Sequence, residues 1–162
     1  MKEMLTLADY EALAELRYQI RRFLSFSEHA ARKAGLEPRQ HQLMLGLKGL
    51  PKGARPRIAE LAERLQLRHH STVELANRLA ARGYLRRSRA GEDKREVLLY
   101  LTPKGEKVLR QLSVHHRAEL LTQSPALLAA LWRVIRRPPR QADKPALQLE
   151  REKPSLRGMQ RK

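Results

Sequence analysis

The chain has 162 residues, and its 34 Lys and Arg against 17 Asp and Glu give a formal net charge of +17 and a pI near 11.1. This length suits one domain with a sizeable core, and the positive charge predicts a polyanionic partner, with nucleic acid favoured over a membrane surface. The lack of cysteine excludes disulfides, thiolate metal sites and cysteine-based redox switches. No apolar run reaches the ~18 residues of a transmembrane helix, and no signal-peptide core is present at the start, so a cytoplasmic protein is expected.

The N-terminal part of the chain predicts two helices. Asp9 can cap a long first helix that Gly35 ends. Its apolar residues recur at three- and four-residue steps: Leu13, Leu16, Ile20, Phe23, Leu24, Ala31 and Ala34. Pro38 suits the first turn of the second helix. The residues expected to face the core from this helix and its end are Leu43, Leu45, Leu47 and Leu50.

Two shorter amphipathic helices follow at roughly 58–66 and 69–82, preceded by an extended segment at 55–57. The predicted buried stripes are Ile58, Leu61, Ala62 and Leu65 in the first helix and Val73, Leu75, Ala76 and Leu79 in the second. Gly83 ends the second helix, and a strand over 84–89 leads to a turn at 90–93. A return strand over 97–101 is expected to bury one face.

Two Ser/Thr-Pro pairs, Thr102-Pro103 and Ser124-Pro125, each place a capping residue before a proline that suits the first helical position. They predict a fifth helix of about twenty residues and a sixth that starts near Pro125. The sixth would carry Leu127, Leu128, Leu131, Trp132, Val134 and Ile135. Because these residues are not confined to one face, another element or chain should cover part of it. Residues 138–162 are expected to form a basic, disordered tail.

The helix beginning at His69 has the pattern of a helix that enters a DNA major groove. Such a helix needs polar residues toward the groove and an apolar back. The residues expected to contact DNA from this helix are His69, His70, Ser71, Thr72, Glu74, Asn77 and Arg78. Hydroxyl groups and the helix N-terminus suit phosphates, whereas Asn and Arg can bond base edges or phosphates. Taken alone, the pattern fits an ordinary amphipathic helix equally well.

The basic hairpin favours the DNA interpretation. Its cations are Arg86, Arg87, Arg89, Lys94 and Arg95, gathered around a turn at Gly91. Their mutual repulsion indicates an anionic partner, and an arginine at the tip of such a loop fits a narrow, electronegative minor groove. Asp93, the acid among them, is expected to orient an arginine and not to touch DNA.

Two motifs carry a family resemblance: Asp93-Lys-Arg95, and the helix start Leu101-Thr-Pro-Lys-Gly105. With the segment from Arg68 to Gly83, they make residues 9–137 similar to the MarR-type (multiple antibiotic resistance regulator) winged helix-turn-helix family. The resemblance implies a mostly α fold with a small β-hairpin wing (α+β). A DNA-binding lobe at about 38–101 would lie between N- and C-terminal dimerisation helices at about 9–34 and 103–137.

The resemblance further implies a homodimer on double-stranded DNA at a pseudo-palindromic operator, with Asp93 and Arg95 as the wing pair and Ser71, Thr72 and their neighbours as DNA contacts. A dimer is also expected physically, because two recognition helices about 34 Å apart combine their discrimination. The function predicted is a sequence-specific transcriptional regulator, in this family most often a ligand-responsive repressor. No cofactor is expected. Tyr10, Tyr18, Phe23, Phe26 and Trp132 could line an effector pocket, although aromatic residues at helical spacing more often form core.

The sequence allows three alternative functions. A basic nucleoid-type protein would bind nucleic acid without sequence preference, which the net charge allows but the polar residues at base-reading positions disfavour. A metal-responsive regulator would use His29, His41, His115 and His116, and His115 with Glu119 has a ligand-like spacing. However, adjacent histidines diverge around a helix and no His-x-x-x-His pair occurs, so no metal site is assigned. An enzyme is least supported, since no phosphate-binding glycine loop, cysteine nucleophile or Ser-His-Asp pattern occurs.

Overall fold

A computed structural model describes residues 5–89 and 97–136, which form helices and a two-stranded antiparallel sheet. In chain order the elements are α1 (Leu7–Lys33), α2 (Pro38–Lys48), α3 (Ile58–Leu65), α4 (His69–Ala81), β1 (Leu85–Arg89), β2 (Val97–Leu101) and α5 (Pro103–Ile135). This order confirms the mostly helical fold with a hairpin wing. None of the helices in this part of the chain is both long and apolar enough to span a membrane.

Some predictions fall outside the described residues. They concern the wing tip, with Asp93, Lys94 and Arg95, and the tail predicted at 138–162.

The cap of α1 lies three residues earlier than the sequence predicts. Thr6 is the N-cap, and its hydroxyl accepts the backbone N–H of Asp9, whose carboxylate in turn accepts the backbone N–H of Thr6 at 2.7 Å. Asp9 therefore closes the first turn from inside the helix and is not its cap. The predicted end of α1 is confirmed, because Gly35 has a φ of +75°, and Pro38 is the first residue of α2.

The predicted break before Pro125 is wrong, because α5 continues through it as one helix of 33 residues. Proline has no N–H with which to bond the carbonyl four residues earlier, which here belongs to Leu121. The hydroxyl of Ser124 donates to that carbonyl at 3.2 Å and replaces the missing bond. The Ser-Pro pair therefore lies inside a continuous helix, where the serine hydroxyl bonds the carbonyl that proline leaves free. The sequence predicts a helix start at this pair.

The core joins α2, α3, α4 and the sheet to the long antiparallel pair α1 and α5. Its fully buried large side chains include Leu36, Leu43, Met44, Leu61, Leu79 and Leu99. Leu45, which the sequence assigns to the core, is exposed. Residues two apart point about 200° apart around a helix, so Leu43, Leu45 and Leu47 cannot all face the same side.

The start of α5 is fastened to the turn that follows α4. Thr102 donates from its hydroxyl to the carbonyl of Gly83 at 2.6 Å, and its backbone N–H donates to the carbonyl of Tyr84 at 3.0 Å. Gly105 approaches the same turn so closely that a Cβ there would lie 2.2 Å from the Tyr84 carbonyl oxygen. The Leu-Thr-x-x-Gly motif therefore fixes the wing and α5 to the end of α4.

The wing is a hairpin extended by a short third segment. β1 and β2 pair antiparallel, with Leu85 opposite Leu101 and Arg89 opposite Val97. On the other side of β2, the backbone N–H of Leu99 donates to the carbonyl of Pro56 at 2.8 Å. This contact confirms the predicted extended conformation of residues 55–57 and joins the chain before α3 to the wing.

Candidate nucleic-acid interface

A tight turn between α3 and α4 sets the angle of the candidate recognition helix α4. Gln66 ends α3 in the left-handed conformation, at φ 53° and ψ 42°. The backbone N–H of the next residue, Leu67, donates to the carbonyl of Ala62 at 2.9 Å, which closes the end of α3 as a Schellman motif does. The partly buried side chain of Leu67 packs against the core, so α4 starts from a fixed point.

The outer face of α4 presents polar side chains to solvent. The exposed members of the predicted set are His69, His70, Glu74, Asn77 and Arg78, and Ser71 is half-buried. On the opposite face, Leu75, Ala76 and Leu79 are buried in the core. The helix therefore has the polar front and apolar back that a groove-reading helix needs.

Thr72 is a correction to the predicted set, because it has no exposed surface. Its hydroxyl donates to the backbone carbonyl of Arg68 at 3.2 Å, so it is satisfied inside the helix. The position lies three, four and seven residues before Leu75, Ala76 and Leu79, which is the spacing of one helical face. That periodicity could have placed Thr72 in the core, but its hydroxyl suggested a phosphate contact.

The first turn of α4 is open to an anion. Its N-cap residue, Arg68, forms no side-chain capping bond, and the turn contains no acidic residue. The backbone N–H groups of such a turn and the positive end of the helix dipole attract phosphate. Arg68 itself is exposed and lies outside the predicted set of DNA contacts, although it directly precedes His69. Its place as the capping residue before α4 was the signal that could have found it.

Arg78 is positioned by two carboxylates. One guanidinium nitrogen lies 3.0 Å from the carboxylate of Glu74 one turn earlier, and another lies 3.6 Å from that of Glu37, just before α2. All three side chains are exposed, so the pairs contribute little to stability. Their effect is to hold the arginine along the surface of α4.

One hydrogen bond joins α4 to the wing. A guanidinium nitrogen of Arg87 on β1 donates to the side-chain oxygen of Asn77 on α4. On the same strand, the guanidinium of Arg86 lies 4.6 Å from the centre of the Tyr100 ring, and Arg89 is exposed. The predicted base-reading residue and the predicted phosphate-binding strand therefore belong to one continuous surface.

The histidines considered as metal ligands form two separate groups. The rings of His41 and His116 lie 4.7 Å apart in the interior, whereas His29 and His115 line a cavity at the surface. Glu119, spaced as a partner for His115, instead accepts a hydrogen bond from Gln123. Within residues 5–89 and 97–136, no group of three or more His, Cys, Asp or Glu side chains is arranged to hold a metal ion.

The aromatic residues considered for an effector pocket do not gather in one place. Tyr10, Tyr18 and Trp132 are at least half exposed on α1 and α5. Phe23 and Phe26 are half-buried and meet the ring of His116 edge-on. Tyr10, Tyr18 and Trp132 therefore belong neither to the core nor to a common pocket.

The sequence profile of the MarR family matches residues 34–96, which include α2, α3, α4 and the first wing strand, β1. This segment matches the MarR family, and the described residues have a winged helix fold. Members of this family are transcriptional regulators and not enzymes, so the family match supports a DNA-binding transcriptional regulator. No curated protein sequence gives a significant match.

Solved structures share the MarR-type fold at low sequence identity. The chain is similar to AbsC, a MarR family transcriptional regulator from Streptomyces coelicolor, with 20% identity, a TM-score of 0.66 and coverage of 83% of this chain and 94% of that one. A MarR family protein from Bacillus stearothermophilus has 19% identity, a TM-score of 0.64 and coverage of 74% and 81%. Apo MarR from Escherichia coli has 19% identity, a TM-score of 0.57 and coverage of 83% and 100%.

Proposed function

We propose that this MarR-type protein is a homodimeric repressor that binds a pseudo-palindromic operator through α4 and the wing. The observation that carries the proposal is the hydrogen bond between Asn77 and Arg87. This bond joins the exposed face of the candidate recognition helix to an arginine-rich strand. When α4 contacts a DNA groove, β1 therefore lies over the sugar-phosphate backbone beside that groove. Arg86, Arg87 and Arg89 then serve phosphates, and Asn77 and Arg78 are the candidates for base edges.

The electrostatics of α4 support DNA as the partner. Its first turn carries His69, His70 and Ser71 beside unbonded backbone N–H groups, with no acid to compete for them. Phosphate contacts of this kind fix the register of a protein on the duplex, while base contacts supply the sequence preference. The half-buried Ser71 is the hydroxyl that remains available for this role after Thr72 is assigned to the core.

The homodimer is proposed from the unburied apolar surface of α1 and α5. The large apolar side chains that are exposed there include Leu7 at 75%, Leu121 at 67%, Ile135 at 60% and Trp132 at 50%. A surface this rich in apolar side chains marks an interaction site, and a second copy is the partner that would pair two recognition helices for a two-fold operator. A chromosomal operator also fits the predicted cytoplasmic location.

The repressor role and its relief by a small-molecule effector rest on the family resemblance. Operator occupancy blocks transcription in the simplest form of this regulation, and an effector that binds the DNA-free form better would shift the population away from the operator. The competing function is non-specific DNA binding by a strongly basic protein. It predicts equal affinity for an operator and for other duplex DNA at the same salt concentration.

The deciding experiment selects bound sequences from a random duplex pool at near-physiological salt, using the full chain. We expect a two-fold symmetric motif with half-sites about one helical turn apart. The Asn77→Ala variant should change the base preference within each half-site, whereas Lys107→Gln, an exposed charge on α5, should recover the same motif. Tight binding without any motif would contradict the proposal and favour a charge-driven architectural protein.

A further inference from the structure

Arg87 reaches the recognition helix from the inner face of the wing. Side chains alternate between the two faces of a strand, so Arg87 shares its face of β1 with Leu85, which is buried in the core. Its register partner on β2, Leu99, is buried as well. This face is turned toward α4, and the guanidinium of Arg87 therefore meets the exposed side chain of Asn77.

The bond to Arg87 determines which end of the Asn77 amide faces outward. A side-chain amide has an oxygen that accepts hydrogen bonds and an amino group that donates them, and a free amide can turn either end to a ligand. Arginine has only donors, so the atom that faces Arg87 is the amide oxygen, Oδ1. The amino group, Nδ2, is the end left for a ligand, since no described residue accepts a hydrogen bond from it.

The positive charge beside this amide is not offset by a described acid. Arg78, the next residue along α4, lies beside the carboxylates of Glu74 and Glu37. In the part of the chain that the structure describes, Arg87 has no such carboxylate partner. Its guanidinium has five N–H donors, of which the bond to Asn77 uses one. The Asn77–Arg87 pair therefore offers hydrogen-bond donors and a positive charge to a base edge in the groove.

We propose that the Asn77–Arg87 pair selects guanine and rejects adenine at one position of each operator half-site. Guanine has two acceptors in the major groove, N7 and O6, whereas adenine has the N7 acceptor and the N6 amino donor. Donors on the protein therefore match guanine. The adenine amino group would instead face a cation and further donors, which is a repulsive contact that discriminates against it.

Arg87 is what distinguishes this asparagine from a free one. A free asparagine suits adenine, because its oxygen accepts from N6 while its amino group donates to N7. With the oxygen of Asn77 held by Arg87, that pairing is lost. In addition to the phosphate contact proposed above, Arg87 is thus a positioning residue that sets the base preference of Asn77. This inference rests on the function proposed above.

The first step of the test finds the base pair that Asn77 contacts. The random-pool selection is carried out with the full chain at near-physiological salt, for the unmodified protein and for Asn77→Ala. The variant should lose the base preference at one position of each half-site. In the motif of the unmodified protein, that position should be a G·C pair, and an A·T pair there would overturn the proposal.

The second step measures the preference with two duplexes that differ only at this position, at one salt concentration. The unmodified protein should bind the G·C duplex about tenfold more tightly than the A·T duplex. Arg87→Met keeps the apolar stem of the side chain but removes the cation and frees the Asn77 oxygen. Its preference for G·C should fall to about twofold or less, or change to A·T.

Arg89→Met is the matched control. Arg89 is exposed two residues further along β1, on the same face of the strand, and it forms no described bond to Asn77. Its replacement should weaken binding of both duplexes by the same factor and leave the preference for G·C unchanged. If Arg87→Met also weakens both duplexes equally, Arg87 contacts phosphate only and the proposal is wrong.

The outcomes separate this inference from the proposed function. A motif that Asn77→Ala leaves unchanged at every position would refute the role of Asn77, yet it would still establish a sequence-specific DNA-binding protein. A G·C preference that survives in Arg87→Met would refute the role of Arg87 in the same way. A pool that yields no motif would instead refute the proposed function, and this inference with it.

Discussion

The imidazole rings of His41 and His116 lie with their centroids 4.7 Å apart and their planes tilted by 52°, where α2 meets α5. The exposed fraction is 3% for His41 and 7% for His116, and the Nε2 atom of each has no hydrogen-bond partner within the described residues. Burial and the neighbouring His116 lower the pKa of His41 to about 4. Burial also lowers the pKa of His116, although the ring donates to the backbone carbonyl of Ser27. Both rings are therefore neutral near pH 7.

We expect the folded state to lose stability as the pH falls from about 6.5 toward 4. The unfolded chain binds protons at these two histidines at a higher pH than the folded chain does, so acidification favours unfolding. For His41 alone, a pKa lowered from 6.5 to about 4 corresponds to a loss of about 3 kcal/mol near pH 4. Denaturant unfolding at fixed protein concentration, repeated between pH 7.5 and pH 4.5, measures this loss.

The His41→Phe variant isolates this contribution from that of the carboxylates. Its ring fills a similar space without a titratable group, so its stability should fall less over the same pH interval. A variant whose pH dependence parallels that of the unmodified chain would show that His41 is not responsible.

Gly105→Ala should destabilise the protein by about 1–3 kcal/mol, as overpacking at a tight contact does. The added Cβ would lie 2.2 Å from the Tyr84 carbonyl oxygen, which is backbone and cannot rotate away. Gly46→Ala is the matched control, because its Cβ would meet only Leu61 at 3.8 Å within a helix. That change should be neutral or stabilising by up to about 1 kcal/mol. Denaturation midpoints compare the two, and equal effects would refute the close-contact argument.

Replacing Leu121 and Ile135 with glutamate should convert the dimer into single chains. Both side chains are more than half exposed on α5, and charges there oppose burial against a second copy. Sedimentation equilibrium should give twice the 18.8 kDa chain mass for the unmodified protein and a single chain mass for the double variant. Val97→Glu, an equally apolar exposed position in the wing, should remain dimeric. A single-chain mass for the unmodified protein would rule out the proposed assembly.

The bond between Asn77 and Arg87 should appear as coupling in operator binding. The Arg87 and Asn77 side chains hold each other in place. The changes in operator-binding free energy caused by Asn77→Ala and Arg87→Ala should therefore differ from additivity by about 0.5 kcal/mol or more in a double-mutant cycle. The cycle of Asn77→Ala with Arg89→Ala is the control and should be additive within about 0.5 kcal/mol. Operator dissociation constants, measured at one salt concentration for the unmodified, single-variant and double-variant proteins, give the free energies for both cycles. Additivity in both cycles would show that α4 and β1 act independently on DNA.

Residues with strong local conformational preferences determined the order and most ends of the elements. Gly35 and Gly83 have positive φ after α1 and α4, and Pro38 and Pro103 begin α2 and α5, as their local chemistry predicts. The alternation of apolar and polar residues in α3 and α4 located their buried faces. The family motif in the wing indicated that these elements form a winged helix fold.

The sequence was misleading where the same residue types serve two local roles. Ser124-Pro125 is typical of a helix start, yet in α5 the serine hydroxyl repairs the bond that proline removes. Thr72 carries a hydroxyl suited to phosphate, yet it bonds back to Arg68 and lies in the core. Helical periodicity pointed to the buried role of Thr72, but the residue type alone did not. For Ser124-Pro125, the packing of the surrounding helices decides between the two roles.

Some features of the candidate DNA-binding site follow from the sequence, and others depend on the tertiary structure. The residue types that suit DNA, and the strand and helix that carry them, follow from the sequence alone because charge and periodicity are local properties. The bond from Arg87 to Asn77, the ion pair between Arg78 and Glu37, and the cavity between α1 and α5 join residues that belong to different elements. Only the tertiary structure decided these contacts, because side-chain partners across different elements depend on how the whole core packs.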